Sequence, residues 1–200
     1  MPDIEGFILA GGASSRMGAD KALLELGGRN FVERIGNALA AVTSAVTLVG
    51  VKADNASWPL RRVADIHVNW GALGGLHAAL ANCGAEWAAV VACDLPFVTG
   101  ELFVRLGEMR GDFDAVVPIQ EDGRPQPLCA LYRTRPCGQL AEELVRAGER
   151  RPRALLERVR TRRVAFAELA HLEGANSFFT NVNTPGDYAD AREKEGEKQG

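Results

Sequence analysis

The segment from Leu9 to Lys21 reads LAGGASSRMGADK and contains the residue types that bind the phosphates of a nucleotide. Its three glycines let the backbone curl so that successive N–H groups point at one anion. Arg16 and Lys21 add positive charge for phosphate oxygens. The segment is neither a GxGxxG fingerprint, because Gly11 and Gly12 are adjacent, nor a P-loop, because it has no Lys-Ser or Lys-Thr pair. The pattern favours a nucleoside triphosphate site over a glycine-rich turn with solvated charges.

Asp94 follows an apolar run over residues 87–92 and stands two positions before Pro96, which stops the run from continuing as a strand. In open α/β sheets, ligands collect at the carboxyl ends of the strands. A carboxylate at that edge suits Mg²⁺, which binds one or two carboxylates and completes its shell with water and substrate phosphates. A turn cap is the simpler role for Asp94, but its occurrence together with the first segment favours the metal ligand.

Three weaker candidates leave a structural and a functional interpretation open. Asn181 and Asn183 alternate in FFTNVNTP and therefore share one side of the chain, where they would bind ligand oxygens or cap a strand-to-helix turn. Asp65 ends a short predicted strand and is either a turn residue or a ligand carboxylate. The small residues of GALGG, at positions 71–75, would admit a flat base.

Arginine is concentrated near the C-terminus. Seven arginines fall within 14 positions, namely Arg150, Arg151, Arg153, Arg158, Arg160, Arg162 and Arg163. They would suit a phosphorylated or acidic partner. We favour a solvated helix face whose charge is balanced by Glu149 and Glu157.

Short apolar runs alternate with amphipathic segments, which is typical of βαβ units. Strands are predicted over residues 6–10, 45–51, 62–64, 87–92, 114–117 and 128–132. Helices are predicted after Asn30, over 73–80, 99–109, 136–147 and 152–160, and from Thr184-Pro185 onwards. The alternation predicts a three-layer α/β domain with a mostly parallel sheet.

Composition excludes several classes of protein. The chain has 200 residues, 46% hydrophobic and 24% charged, which is enough for one domain with a buried core. A formal net charge of -3 disfavours nucleic-acid binding through a basic surface. The longest apolar run, over residues 87–93, is far shorter than the roughly 18 residues that span a bilayer. We expect a single cytoplasmic domain over residues 1–200, with a charged tail that frays from about residue 190 and no membrane or nucleic-acid partner.

LAGGASSRMGADK, ACDLPF and NVNTPGDY, in this order, closely resemble the molybdenum cofactor guanylyltransferase family. The first motif alone is typical of the wider nucleotidyltransferase superfamily, and the NTP ending with the AGERR segment at 147–151 narrows the resemblance to the molybdenum cofactor branch. The resemblance implies a Rossmann-like α/β/α nucleotidyltransferase fold. It also implies transfer of GMP from GTP to the terminal phosphate of molybdopterin, with or without its molybdenum, and release of pyrophosphate.

The resemblance also implies roles for individual residues. It implies that six residues lie next to the guanine nucleotide and its phosphates, namely Leu9, Ala10, Gly11, Gly12, Lys21 and Asp65. Asp94 would bind Mg²⁺, and Lys21 and Arg16 would act with it on the phosphates, while other cofactor-biosynthesis proteins and molybdoenzyme chaperones are candidate partners. The chain departs from the family at the end of the second strand, where an Asn is common and this sequence has Val49-Gly50.

Two alternatives share the phosphate-handling residues. A molybdopterin cytidylyltransferase or a sugar-1-phosphate nucleotidyltransferase would differ only in its choice of base and acceptor. A non-catalytic nucleotide-binding module belongs to a different class. The occurrence of Arg16 and Lys21 together with Asp94 argues against that module, because simple binding needs no metal at the α-phosphate.

Overall fold

The computed structural model describes residues 3–11, 24–50 and 60–197. In these ranges one sheet contains β1 (Ile4–Leu9), β4 (Val46–Val49), β5 (Arg61–Val63), β6 (Trp87–Ala92), β7 (Ala115–Pro118), β8 (Cys129–Arg133) and β9 (Thr161–Val164). A separate hairpin contains β2 (Glu25–Leu26) and β3 (Arg29–Asn30). The six predicted strands are therefore confirmed, with shifts of one or two residues at their ends.

The sheet has the order β5-β4-β1-β6-β8-β7-β9. Neighbouring strands are parallel except where β8 pairs with β6 and β7. The other six strands therefore have their carboxyl ends at one edge, which we call the carboxyl edge, and the opposite edge is the amino edge. The chain moves outwards from β1 to β4 and β5 and then returns to the other side of β1 as β6. The carboxyl ends of β1 and β6 thus flank the switch point at which open α/β sheets bind ligands.

Helices cover both faces of the sheet. They are α1 (Phe31–Ala40), α2 (Gly71–Ala81), α3 (Gly100–Glu108), α4 (Thr134–Arg146), α5 (Arg153–Leu156) and α6 (Pro185–Glu197), with 3₁₀ turns at Phe166–Glu168 and Ala175–Ser177. Ile8 of β1 packs with α1 and α3 in one buried cluster. The preceding residue, Phe7, packs with α2 and α4 in another, because successive strand residues point to opposite faces. These clusters confirm the three-layer α/β/α fold with a mostly parallel sheet.

Side-chain caps explain why the predicted helix starts are right. The Asn30 side chain accepts from the Glu33 N–H at 2.9 Å, and the Glu33 carboxylate accepts from the Asn30 N–H at 3.0 Å. The Thr99 hydroxyl accepts from the Leu102 N–H at 3.4 Å. Each cap satisfies donors that the first turn of a helix leaves unpaired.

The helix predicted over residues 152–160 is wrong beyond its first turn. The helix ends at Leu156, and β9 follows and pairs in parallel with β7. We also expect fraying from about residue 190, but α6 continues to Glu197. Arg34 of α1 pairs with Glu195 at 2.6 Å, which ties this end of α6 to the rest of the structure. Among the described residues, no helix combines the length and apolar character needed to cross a membrane.

Candidate nucleotide site

The carboxyl edge is extended by backbone hydrogen bonds just beyond the strands. The Ala10 N–H donates to the Val49 carbonyl at 3.0 Å, and the Cys93 N–H donates to the Leu9 carbonyl at 3.0 Å. These bonds hold the residues after β1 between the ends of β4 and β6. The predicted candidates Leu9, Ala10 and Gly11 therefore lie at the switch point of the sheet.

Gly11 and Gly50 approach each other more closely than side chains allow. A methyl group on Gly50 would lie 2.7 Å from the Gly11 Cα, and the φ of Gly50 is +79°. A methyl group on Gly11 would lie 3.0 Å from the Gly50 Cα and 3.0 Å from Oδ2 of Asp65. A side chain at position 50 would therefore displace the chain after β1.

Asp65 lies beyond the end of β5 and presents an unpaired buried oxygen. Its Oδ1 has no hydrogen-bond partner among the described residues. Burial raises the pKa of the Asp65 carboxyl above its usual value. Leaving a buried acceptor unsatisfied costs about 1–3 kcal/mol, so a ligand that supplies an N–H or O–H donor would be favoured here. The structure therefore brings Asp65 to the same place as Gly11 and supports its interpretation as a ligand carboxylate.

Asp94 lies at the end of β6, in a turn closed by a bond from the Leu95 N–H to the Ala92 carbonyl at 3.2 Å. The Asp94 carbonyl accepts from the Val182 N–H at 2.9 Å. This bond places the segment that contains Asn181 next to Asp94. Two predicted parts of the site, far apart in the sequence, are thus neighbours.

Asn181 and Asn183 flank Val182, which is fully buried. Asn181 is exposed and Asn183 is half-buried, as the predicted alternation requires. The N–H groups of Asn183 and Thr184 both donate to Oδ2 of Asp187, each at 2.8 Å. The Asp187 carboxylate in the first turn of α6 therefore anchors the backbone of this segment, and the Thr184 hydroxyl caps the helix by accepting from the Asp187 N–H at 3.1 Å.

Several predicted residues lie outside the described ranges. These are Gly12, Arg16 and Lys21, whose roles stay predictions. No group of three or more His, Cys, Asp or Glu residues in the described part of the chain is arranged to hold a metal. Asp94 alone nevertheless fits Mg²⁺, because this ion is commonly bound by one or two carboxylates with substrate phosphates and water completing its shell.

The arginines near the C-terminus do not share a helix face. Ion pairs join Arg151 to Glu149 at 2.8 Å, Arg158 to Glu143 at 3.7 Å, Arg160 to Asp114 at 3.1 Å and Arg162 to Glu168 at 2.5 Å. Hydrogen bonds from Arg151 lower the pKa of Glu149 to about 2. The predicted balance by Glu149 is confirmed, but no ion pair of Glu157 is found among the described residues. The single helix face is wrong because β9 occupies part of this stretch.

Sequence reasoning missed Trp70, the last residue before α2. Its indole N–H donates to the Glu149 carbonyl at 2.9 Å, and the Arg150 guanidinium lies 4.9 Å from the ring centroid. A tryptophan directly before GALGG was the only local signal.

A groove of about 780 Å³ also lies between α1, α3 and α6, but neither Asp65 nor Asp94 lines it.

Comparison with known proteins agrees with this fold. Residues 6–164 match the model of the MobA-like NTP transferase domain, so the chain is a nucleotidyltransferase. It is 39% identical to a probable molybdenum cofactor guanylyltransferase of Pelotomaculum thermopropionicum, over 94% of this chain and 91% of that protein. It is 31% identical to a molybdenum cofactor guanylyltransferase of Desulfosudis oleivorans, over 92% of each chain. The chain belongs to the MobA-like NTP transferase family, in its molybdenum cofactor guanylyltransferase branch.

Solved structures show the same architecture. The molybdopterin-guanine dinucleotide biosynthesis protein A of Archaeoglobus fulgidus superposes with a TM-score of 0.81 at 27% identity, covering 96% of this chain and 99% of that one. A 2-C-methyl-D-erythritol 4-phosphate cytidylyltransferase of Thermus thermophilus superposes with a TM-score of 0.70 at 19% identity, covering 98% of this chain and 99% of that one. The second likeness concerns the fold alone. Both the predicted family and the predicted fold are confirmed.

Proposed function

We propose that this chain transfers GMP from GTP to the terminal phosphate of molybdopterin and releases pyrophosphate. The names of the similar proteins support this activity. The observation that carries it in this chain is the buried Oδ1 of Asp65 at the carboxyl edge, which has no hydrogen-bond partner in residues 3–11, 24–50 and 60–197. Guanine has adjacent N1–H and N2–H donors, which suit a carboxylate oxygen. Adenine presents only its N6 amino donor at this edge, beside an N1 acceptor that the carboxylate would repel.

The reaction needs no nucleophile from the protein. A phosphate oxygen of molybdopterin attacks the α-phosphorus of GTP in line and forms a new P–O bond. The bond from the α-phosphorus to the oxygen that bridges to the β-phosphate breaks, and pyrophosphate leaves with that electron pair. We propose that Lys21 and Arg16 bind the phosphate oxygens and that Asn181 and Asn183 face the acceptor. The protein contributes positioning and charge neutralisation.

Asp94 is the proposed ligand of Mg²⁺. Its carboxylate stands at the end of β6, beside the switch point where the phosphates would bind. When bound, Mg²⁺ offsets the negative charge of the phosphate oxygens. The Val182 N–H bond to the Asp94 carbonyl holds this part of the chain against the segment that contains Asn181.

The remaining assignments are also proposals. We propose that residues 1–200 form one nucleotidyltransferase domain that acts in the cytoplasm. Contacts with other cofactor-biosynthesis proteins and with molybdoenzyme chaperones stay predictions of the family resemblance.

The activity is tested with the purified chain, Mg²⁺, molybdopterin and one of GTP, CTP or ATP. The expected product with GTP has the mass of molybdopterin plus GMP, and one pyrophosphate is released per product. We expect GTP to exceed CTP and ATP by at least about 10²-fold in kcat/KM. CTP turnover equal to or above GTP turnover would contradict the proposal and favour the cytidylyltransferase. Nucleotide binding without any product would favour the non-catalytic module.

A further inference from the structure

Trp70 joins two segments that are far apart in the chain. Its indole N–H donates to the Glu149 carbonyl at 2.9 Å, a contact between residues 79 positions apart. The Arg150 guanidinium covers the ring at 4.9 Å from its centroid, within the range of a cation–π contact. One edge and one face of the indole are therefore held by residues 149–150.

The same side chain packs on the first turn of α2. A methyl group on Gly74 would lie 2.7 Å from the Trp70 Cβ, so only a glycine lets the side chain pack this closely. The Leu73 N–H donates to the Arg150 carbonyl at 3.3 Å. The beginning of α2 is thus fastened to the 149–150 segment both through Trp70 and through its own backbone.

The turn before Trp70 has a strained backbone. Among the described residues, Asn69 is the only one other than glycine with a positive φ, at +61°. Such conformations cost of order 1–3 kcal/mol and persist where the surroundings determine them. The backbone N–H of Trp70 closes the turn by donating to the His67 carbonyl at 3.2 Å. The side-chain contacts of Trp70 therefore lie directly beside a turn with an uncommon backbone conformation.

The position of α2 affects the space beside Asp65. A methyl group on Gly75 would lie 3.9 Å from the unpaired Oδ1 of Asp65 and 3.6 Å from Cδ1 of Leu9. The first turns of α2 therefore form a wall next to this carboxylate. Any shift of α2 relative to β5 would change the distance between Gly75 and Asp65.

We propose that Trp70 is a positioning residue for nucleotide selection. By fastening the start of α2 to residues 149–150, it fixes the wall that the first turns of α2 form beside Asp65, against which the base would pack. This inference rests on the proposed guanylyl transfer, and it adds a residue that does not touch the reacting atoms. Its expected effect is on the choice between nucleotides rather than on the chemical step.

The test compares kcat/KM for GTP and ATP in wild type, Trp70→Phe and Trp70→Leu. We expect the ratio of the two values to fall about 10-fold in Trp70→Leu, because guanine loses its fit while adenine has little to lose. The value of kcat at saturating GTP should stay within about threefold of wild type. Trp70→Phe keeps a ring under Arg150 but loses the indole N–H bond, so its ratio should lie between the other two.

Trp87→Phe is the matched control. Trp87 is also covered by arginines, with Arg110 and Arg133 each 5.4 Å from its ring, but it lies at the start of β6 on the amino edge. We expect Trp87→Phe to lower the melting temperature and to leave the nucleotide ratio unchanged.

The outcomes separate the inference from the proposed function. If wild type shows no preference for GTP over ATP, the proposed function fails. If wild type shows the preference and the folded Trp70 variants keep it, the positioning role is overturned while the function stands. An equal fall of the ratio in Trp87→Phe would also overturn it, because the effect would then be general destabilisation. Trp70→Phe decides if Trp70→Leu does not fold.

Discussion

The pairing of polar groups differs between the two edges of the sheet. At the amino edge, charges are paired: Asp3 with Arg110, Glu86 with Arg133 at 3.3 Å, and Asp114 with Arg160 at 3.1 Å. The buried Nε of Arg133 is an exception, but the other nitrogens of that guanidinium have carboxylate partners. At the carboxyl edge, the buried Oδ1 of Asp65 has no partner among the described residues. The ion pairs at the amino edge thus stabilise the fold, whereas the described part of the carboxyl edge leaves one buried acceptor without a donor.

The two edges also differ in backbone conformation and packing. The carboxyl edge contains the contact of Gly11 with Gly50 and the positive φ of Asn69. At the amino edge, Trp87 is buried between two guanidiniums, an arrangement worth about 0.5–2 kcal/mol for each cation–π contact. Strain at one edge is thus offset by favourable packing elsewhere, which is a common arrangement around functional sites.

Asp94→Asn should give the largest loss of activity. The substitution keeps the size of the side chain and removes the charge that would bind Mg²⁺, so kcat should fall by on the order of 10²–10³ with the melting temperature nearly unchanged. Steady-state kinetics at saturating Mg²⁺ measures this loss. Asp122→Asn is the control, because Asp122 pairs with Arg124 in an exposed loop. Activity within about threefold of wild type would rule out the metal role of Asp94.

Gly50→Ala should be the next most severe change. Its methyl group would approach the Gly11 Cα to 2.7 Å in a backbone of φ +79°, so Gly11 must shift and GTP should bind at least about 10-fold more weakly. Gly123→Ala is the control, because its φ is +82° and nothing lies within 4 Å of the added methyl group. In both variants, backbone strain should lower the free energy of unfolding by about 1–3 kcal/mol, which denaturant unfolding measures. Equal GTP affinities in the two variants would show that the close contact does not matter for binding.

The amino edge should respond to pH in stability but not in activity. The hydrogen bond from the Arg160 side chain holds the pKa of Asp114 below its usual value. Its stabilising contribution is therefore complete above the ordinary Asp pKa of about 3.9 and disappears as pH falls through the lower pKa of the folded state. Asp114→Asn should lower the free energy of unfolding by about 0.5–1 kcal/mol at neutral pH. It should also weaken the dependence of the melting temperature on pH in the acid range. A melting temperature with the same acid dependence in both proteins would contradict this assignment.

Local signals in the sequence predicted most of the fold. The start of α1 follows from Asn30 and Glu33, which are three positions apart and cap it, and β6 follows from a continuous apolar run. The strand β9 was not predictable in this way, because it is rich in arginine and is held by pairing with β7 more than 40 positions earlier. Long-range pairing of this kind has no local signature.

The candidate site was predictable where a single residue type and its position indicate a chemical role. Asp94 at a strand end and the glycines after β1 are such residues, and the structure brings Asp65 to the same edge. The reason for Gly50 was not predictable, since it depends on the approach of Gly11 from the neighbouring strand. Trp70 was missed for the same reason, because its partners lie near residue 149.

The dissociation constants of GTP and ATP test most directly whether the Asp65 carboxylate recognises guanine. They are measured by calorimetry for wild type, Asp65→Asn and the amino-edge control Asp114→Asn. Loss of a hydrogen bond to a charged acceptor should weaken GTP binding by about 10-fold or more in Asp65→Asn. ATP binding should not weaken, because the introduced amide can accept from the N6 amino group of adenine and donate to its N1, and Asp114→Asn should change neither value. Equal weakening of GTP and ATP in Asp65→Asn, or no weakening of either, would contradict the account.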